Sequence, residues 1–400
     1  MKLLYVLNSN SVTGGATKSF IAMLHQVLQN NYEALVICPS TEGIFEYLHT
    51  INGIRVETIK YRPANYPLNR NFVDKIKWIP RLMYTYVCNY LAVKKIIKLA
   101  KDWEPDIIHE NTSVTDVGYK VAKKLDIPCV THIREYGDKD FNLNLYNIDV
   151  RLTDPLVYTI PITKDIARYR KVDKNKRSFQ IYNGILREED IRYSSQKSNY
   201  FLFAGRVEAP KGIEDLLEAY SIYCKKTTSP FVLKIAGEAY DKDYLQRLKD
   251  KTINLNIFEY VEWMGGQNID KMAKLYYNAA ATIIPSLFEG LGRVMPEAMA
   301  NGCLCIGRDT GGTREQFEEG KRITGQEIGF RFHDVRDLGN LLISISDTVC
   351  NNNPYEVGGS LHTIIMNSQK AIRQNFTIDV FGKKLISAYD AILKLKHYEN

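Results

Sequence analysis

Pro285-Ser286-Leu287-Phe288-Glu289-Gly290-Leu291-Gly292-Arg293-Val294-Met295-Pro296-Glu297-Ala298-Met299-Ala300-Asn301-Gly302 is the stretch from which the fold is read. It follows an apolar run, Ala279–Ile284, that stops at Pro285. It continues into a segment with Pro296 near its start and Gly302 at its end, the positions where a helix begins and stops. Cys303-Leu304-Cys305-Ile306 then reads as a second buried strand. The order strand, glycine-containing loop, helix, strand sets the loop at the carboxyl end of a parallel strand, where open α/β sheets bind ligands. Glu289 in the loop and Glu297 in the first helical turn, seven residues between them, can both face a ligand lying over the loop. Two carboxylates there suit a ligand rich in hydroxyls.

The same grammar recurs upstream and downstream. Residues 200–204 form an apolar strand candidate, followed by Gly205-Arg206-Val207-Glu208-Ala209-Pro210-Lys211-Gly212, and helical periodicity resumes at Ile213, Leu216, Leu217 and Tyr220. Arg206 and Lys211 bracket this loop. A diphosphate over the helix N-terminus would therefore meet a guanidinium, an ammonium and free amides together. Residues 231–236 with Gly237-Glu238 read as another strand and turn, and Gly311-Gly312-Thr313-Arg314-Glu315 as a glycine-rich loop after a further strand.

In the first half, Lys2 to Leu7 reads as a buried strand and the polar loop after it ends in Gly14-Gly15-Ala16. Phe20, Leu24, Val27 and Leu28 then fall on one helical face. The amides behind this diglycine can hold an anion or let a substrate approach the backbone. It is not a Walker A loop, since Thr17 precedes Lys18 where that motif needs glycine, and it is not GxGxxG. Residues 34–38 and 54–59 read as strands. Pro105-Asp106-Ile107-Ile108-His109 and Ile127-Pro128-Cys129-Val130-Thr131-His132 each put a histidine at a strand's carboxyl end. Arg134 and Glu135 either contact a substrate or pair with each other. Residues 159–163 and 179–185 read as the last strands of this half. The charged run Arg187, Glu188, Glu189 and Asp190, with the polar stretch to Asn199, reads as the linker.

Four hundred residues, 45% hydrophobic and 25% charged, describe a globular chain long enough for two domains of roughly 150 to 200 residues. The seven cysteines form no CxxC pair, which argues against a disulfide framework or a structural zinc and fits a reducing cytosol. The N-terminus has about six apolar residues before it turns polar, which is expected to be a strand rather than a signal peptide. The uncharged run 82–93 is 12 residues long, short of the roughly 20 that span a bilayer. All but one unit of the net charge of +7 sits in the first 190 residues, which carry 27 Lys and Arg against 21 Asp and Glu. Between Arg70 and Lys101 there are eight basic residues and one acid, Asp74, interleaved with Phe72, Trp78, Tyr84, Tyr86 and Tyr90. That composition suits an anionic membrane surface or a phosphate-bearing acceptor, and equally a core-facing aromatic stripe with a solvated basic face. No recognised nucleic-acid-binding motif accompanies it. Asp138-Lys139-Asp140 and Asp241-Lys242-Asp243 spell DxD, a pattern expected by chance about once in a chain of this size, and neither is read as a metal site.

Glu289-Gly290-Leu291-Gly292, the Glu-x7-Glu spacing and the Glu-Ala-Met-Ala-x-Gly continuation resemble the donor-binding signature of retaining glycosyltransferases of family 4, including those of bacterial capsule and exopolysaccharide synthesis. Gly205-Arg206-x4-Lys211-Gly212 and the passage Asn183-Gly184-Ile185 resemble the same family. The likeness covers most of the chain, strongest from Gly205 to Gly312 and weakest over residues 62–101. It implies the GT-B architecture, α/β throughout: two Rossmann-like doubly wound parallel-sheet domains facing across a cleft. Residues 1–185 would bind the acceptor and 186–377 the donor, with a C-terminal helix at about 378–396 packing back on the first domain.

The implied activity is transfer of a sugar, with retention, from a nucleotide-diphospho-sugar to a glycan or lipid-linked glycan in cell-surface polysaccharide synthesis. A UDP-sugar is the favoured donor, and neither cofactor nor metal is implied. By the same resemblance Arg206 and Lys211 hold the departing diphosphate, Glu289 and the amides of Gly290, Leu291 and Gly292 the sugar, and Glu297 the ribose. Gly15, Gly205 and Gly312 would line the donor site, and His132 would orient the sugar. Gly14, His109 and Arg134 are candidates on the acceptor side, although His109-Glu110-Asn111 departs from the family's His-x-His at Asn111. The implied place of work is the cytoplasm, with peripheral attachment to the inner face of the plasma membrane through the basic segment. Two rival readings share the architecture: a sugar-nucleotide epimerase, which would turn over without acceptor, and a non-catalytic sugar-nucleotide-binding subunit.

Overall fold

A computed structural model describes residues 1–8, 11, 14–67 and 72–399. The chain divides into two compact units, Met1–Gly184 with Ile378–Asn400, and Ile185–Thr377. In the first unit the strands are β1 (Lys2–Val6), β2 (Glu33–Cys38), β3 (Ile54–Thr58), β4 (Asn65–Pro67), β5 (Ile107–Glu110), β6 (Cys129–Ile133), β7 (Leu143–Leu145) and β8 (Val157–Pro161). Six of them form a parallel sheet in the order β3-β2-β1-β5-β6-β8, and β4 pairs antiparallel with β7 outside it. The second unit holds β9 (Ser198–Ala204), β10 (Val232–Ala236), β11 (Val261–Gly265), β12 (Ala279–Ile284), β13 (Leu304–Arg308) and β14 (Phe330–Phe332), parallel in the order β11-β10-β9-β12-β13-β14.

The residues explain both sheets. Helices cover both faces of a doubly wound sheet, so its inner strands are apolar at successive positions rather than at alternate ones. β12, Ala-Ala-Ala-Thr-Ile-Ile, is buried along its whole length. β3, at a sheet edge, instead presents Arg55 and Glu57 to solvent, ion-paired at 2.8 Å. In each sheet the direction of winding reverses once, between β1 and β5 and between β9 and β12. The loops leaving those strands splay apart at their carboxyl ends and leave room for a ligand.

Helix Gly15–Gln29 buries Phe20, Leu24 and Val27 in the core of the first unit. Helix Ile378–Glu399 packs on it and buries Phe381, Leu385, Tyr389 and Ile392, one residue per turn, in the same core. Each such side chain contributes about 1.5–3 kcal/mol on leaving water. In the second unit Ile213, Leu216, Leu217 and Tyr220 are the buried face of helix Ile213–Cys224.

Two expectations change. Residues 179–185 are not a strand: Phe179 and Ile181 donate backbone hydrogen bonds to Thr159 (2.9 Å) and Pro161 (3.1 Å) of β8, but the ladder reduces to the bridge Thr159↔Ser178. The charged run after Leu186 is no free linker either. Glu188–Asp190 forms a 3-10 turn, and Arg187 N–H donates to the Asp190 carboxylate at 3.0 Å.

The basic segment lies on helix Phe72–Trp103, which carries Pro80 inside it, while Arg70 lies outside the described residues. Asn89, Ala92, Ile96 and Ala100 face inward, whereas Ile76, Ile79, Met83, Tyr86, Val87, Tyr90 and Leu91 are exposed. Among the described residues no helix is long and apolar enough to cross a membrane. All seven cysteines are free thiols.

Candidate functional site

In the second unit two loops leave the carboxyl ends of β9 and β12 and are stitched together. Leu287 N–H donates to the Pro210 carbonyl at 2.9 Å, and Arg308 Nε donates to the Pro285 carbonyl at 2.9 Å. Arg308 is held in turn by Asp215 of helix Ile213–Cys224 at 2.5 Å. The loops approach so closely that Gly212, at φ +67°, admits no side chain: a Cβ there would fall on the Pro285 carbonyl oxygen. Only glycine takes this backbone shape without strain and leaves that space empty.

Glu289 stands where the loops meet. Its Oε1 lies 2.5 Å from Lys211 Nζ and accepts from Ser286 Oγ at 2.8 Å, and its carbonyl accepts from Gly312 N–H at 2.8 Å. Gly205, Lys211, Ser286, Glu289, Gly292, Thr313 and Gln316 line a small recess here. Leu291 is buried, and its carbonyl takes a hydrogen bond from Gln316 Nε2, which also reaches the Gly292 carbonyl at 3.3 Å. Gly312 packs so tightly on Gly290 that a Cβ would overlap the Gly290 carbonyl oxygen. Lys211, Glu289, Gly205, Gly290, Leu291, Gly292 and Gly312 are thus brought together.

Arg206 and Glu297 are positioned differently. Arg206 is half exposed and pairs with Glu208 at 2.9 Å. Glu297 pairs with Arg293 one helical turn earlier, at 3.2 Å, and Arg293 also donates to the Ile185 carbonyl at 3.1 Å. Lys211, Arg206, Arg293 and Arg308 therefore each have a carboxylate partner within the second unit.

The first unit gathers a second cluster at the carboxyl ends of β5 and β6. His109 Nε2 lies 3.2 Å from His132 Nδ1, and Arg134 Nη2 lies 3.3 Å from the same His132 nitrogen. Arg134 is tied to the segment after β5 and to Asn183. It donates to the Asn111 carbonyl (2.7 Å), the Asn111 side chain (3.0 Å) and Asn183 Oδ1 (2.5 Å). Glu135 accepts from Ser113 N–H and Oγ at 2.8 and 2.5 Å. Gly14 caps helix Gly15–Gln29, whose first turn meets the cluster through Asn111 Nδ2, 3.4 Å from the Ala16 carbonyl. Both histidines are wholly buried. Burial and the adjacent Arg134 guanidinium hold both imidazoles well below their ordinary pKa, so they are neutral at physiological pH.

The two DxD sequences have structural employment. Asp140 accepts from the Tyr136 and Gly137 amides (2.9 and 2.7 Å), Asp138 from Tyr169 Oη (2.5 Å), and Asp241 caps helix Lys242–Asn254 through Tyr244 N–H (2.9 Å). Among the described residues no group of three or more His, Cys, Asp or Glu could hold a metal ion. Sequence reasoning missed Ser286, only three residues before Glu289, and also Gln316, Arg308 and Asp215 in the second unit and Tyr389 in the first, four residues tied in by bonds across 25 to 280 positions of chain. No local motif marks them.

The part of the chain that carries the first of these clusters is also the part most similar to known proteins. Residues 187–346 match the model of the family described as "Glycosyl transferases group 1". The second unit is similar to that family over most of its length. An uncharacterized glycosyltransferase of Methanocaldococcus jannaschii is 35% identical over 229 residues, 54% of this chain and 54% of that protein. The O-antigen chain mannosyltransferase RfbU of Salmonella typhimurium is 27% identical over 154 residues, 38% of this chain and 41% of that one. The chain spans about half the length of the curated relatives it matches first. Among solved structures, the Anabaena protein HepE in complex with UDP superposes with a TM-score of 0.74 at 20% identity, covering 98% of this chain and 100% of that one. That likeness shows the fold, which is the GT-B class.

Proposed function

We propose that the protein is a retaining, metal-independent glycosyltransferase that moves a sugar from a nucleotide-diphospho-sugar, a UDP-sugar by preference, to a glycan or lipid-linked glycan acceptor. One observation carries this reading: the Lys211–Glu289 pair in a recess walled by glycine backbone, at the point where the winding of the second sheet reverses. Breaking a glycosidic bond to a diphosphate leaves positive charge on the sugar and negative charge on the departing phosphates. Fixed cations near those phosphates are then the largest lever on the barrier. Lys211 and Arg206 flank the loop where the phosphates would sit and take the place of a divalent ion. Glu289 is released from Lys211 to meet sugar hydroxyls, Glu297 meets the ribose, and His132 and Arg134 belong to the acceptor-binding unit. The preference for UDP is supported by the solved neighbour HepE, crystallised with UDP and with UDP-glucose. A role in cell-surface polysaccharide is supported by the O-antigen mannosyltransferase among the relatives.

The test is a panel of nucleotide sugars read by thermal shift and by release of nucleotide diphosphate, with and without lipid-linked and soluble glycan acceptors. Release that needs acceptor supports the transferase. Conversion of the sugar nucleotide without acceptor would establish an epimerase, and binding without turnover under every acceptor would establish a binding subunit.

We also propose that the first unit meets the anionic inner face of the cytoplasmic membrane. Exposed Ile76, Ile79, Met83, Tyr86, Val87 and Tyr90 recur every three to four residues on helix Phe72–Trp103. Lys94 lies 4.5 Å from the Tyr90 ring centre, with Lys95 next to it and Lys98 one turn on. Each basic side chain near an anionic surface contributes about 1 kcal/mol, and salt screens it. The protein is expected to sediment with anionic vesicles at low salt, and reversing Lys94, Lys95 and Lys98 to glutamate should release it without altering nucleotide-sugar binding. A wild type that ignores anionic vesicles at every salt concentration would make a soluble acceptor the better reading.

A further inference from the structure

The first unit contains a buried hydrogen-bonded chain that begins far from either sequence motif. Tyr389, on the helix Ile378–Glu399, places its hydroxyl 2.6 Å from His109 Nδ1. His109 Nε2 lies 3.2 Å from His132 Nδ1, and the Tyr5 hydroxyl lies 3.1 Å from that of Tyr389. Tyr5, His109, His132 and Tyr389 are wholly buried. Only His132 Nε2, at the far end, is without a hydrogen-bond partner.

The direction of every proton in this chain follows from Arg134. A guanidinium has donors and no acceptor, so at 3.3 Å from Arg134 Nη2 the His132 Nδ1 must offer its lone pair. A neutral imidazole with a bare Nδ1 carries its hydrogen on Nε2. His109 Nε2 faces the same lone pair and must donate to it; a bare His109 Nε2 would set two lone pairs against each other. The two contacts on His132 Nδ1, 3.2 and 3.3 Å, are the long distances of a shared acceptor. With its hydrogen on Nε2, His109 has a bare Nδ1, which accepts from Tyr389. The alternative acceptor for that hydroxyl, Met23 Sδ at 3.7 Å, is more distant and weaker. Tyr389, having used its hydrogen, accepts from Tyr5.

We propose that Tyr389 is a positioning residue: acting through His109, it helps hold His132 as an Nε2–H hydrogen-bond donor, one that meets a substrate oxygen and does not act as a base. A buried donor left unpaired is costly, so the site retains a group whose partner is supplied on binding. The oxygen it meets, a hydroxyl of the sugar substrate, rests on the transferase reading above. The tautomer does not.

The first measurement is therefore independent of turnover. In full-length protein carrying ¹⁵N-histidine, two-bond nitrogen–proton correlations should assign both His109 and His132 as neutral and protonated on Nε2, unchanged between pH 8 and pH 6. Protonation of His132 on Nδ1, or its titration in that range, would overturn the proposal. In Tyr389→Phe the ring packing is kept and the hydroxyl is lost. His109 should then populate its other tautomer, and transferase kcat should fall about tenfold, the worth of one hydrogen bond. Tyr5→Phe removes a hydroxyl from the same core and leaves the Tyr389–His109 bond, so it reports the stability cost alone. Equal loss of kcat in the two variants would reduce Tyr389 to a packing residue. His132→Gln, whose amide can donate from near the Nε2 position, should retain at least tenfold more activity than His132→Ala. Equal activity of those two variants would remove the donor role. If the wild type transfers no sugar to any acceptor, the function reading fails while the nitrogen correlations still decide the tautomer.

Discussion

At the carboxyl ends of β9 and β12 the charged side chains stay partly open to water, with 21% of Lys211, 17% of Glu289 and 52% of Arg206 exposed; at the carboxyl ends of β5 and β6, His109 and His132 expose nothing. Both groups stand at the reversal of a six-stranded sheet of the same strand order, so the difference comes from the side chains and not from the scaffold. Partly hydrated ions can exchange partners at small cost, so Lys211 can leave Glu289 for an arriving phosphate. Fully buried groups cannot carry charge cheaply, so the histidines are neutral and their capacity lies in a directed hydrogen bond. One site is suited to developing charge and the other to orientation.

The comparison breaks most readily at its charged end. Lys211→Ala and Arg206→Ala are each expected to lower transferase kcat by about a hundredfold or more while the fold persists by circular dichroism. Near-normal turnover in either folded variant would remove that residue from the leaving-group role. A second substitution tests the scaffold beneath those ions. In Gly212→Ala a methyl group must enter the space of the Pro285 carbonyl at a backbone angle that favours glycine, so the second unit should lose about 2–4 kcal/mol and its nucleotide affinity. An unchanged melting profile would mean that the loops are not locked together.

At the buried end the test is pH. Burial outweighs the attraction of Arg151, 3.5 Å away, and pushes the Glu110 carboxyl up to about 7 from its usual range. A raised folded-state value means that the native protein holds a proton the unfolded chain has released. Glu110's contribution is therefore complete below about pH 4.5 and is lost as pH rises through 7. Glu110→Gln should flatten the dependence of melting temperature on pH across that window, and an identical slope in the variant would show that Glu110 does not titrate there. The smallest expected effect is none: in the proposed reading Arg206 and Lys211 act in place of an ion, so transfer should continue in excess chelator. Strict dependence on magnesium or manganese would overturn the metal-free mechanism.

The local chemistry of the second unit was open to reading in one dimension. Pro285, the glycines at 290 and 292, Pro296 and Gly302 mark where a strand stops and a helix starts and ends. Backbone geometry restricts those positions within a few residues, and so the strand-loop-helix-strand order, the parallel sheet and the place of Lys211 and Glu289 on its carboxyl edge follow from the sequence. What decides the state of those residues does not. That Lys211 meets Glu289 across 78 positions, that Arg206 turns to Glu208 while Glu297 turns to Arg293, and that Gln316 holds the carbonyls of Leu291 and Gly292 are outcomes of packing. Residues 179–185 read as a strand because they are apolar and extended, yet strand pairing needs a ladder, and the edge of β8 offers them only part of one. The histidine chain depended most on tertiary structure. Tyr389 lies 280 positions from His109, and only the return of the C-terminal helix to the first unit brings its hydroxyl to the imidazole. Hydrogen bonds are short-ranged and directional, so which groups share a proton is settled by where the folded backbone sets them.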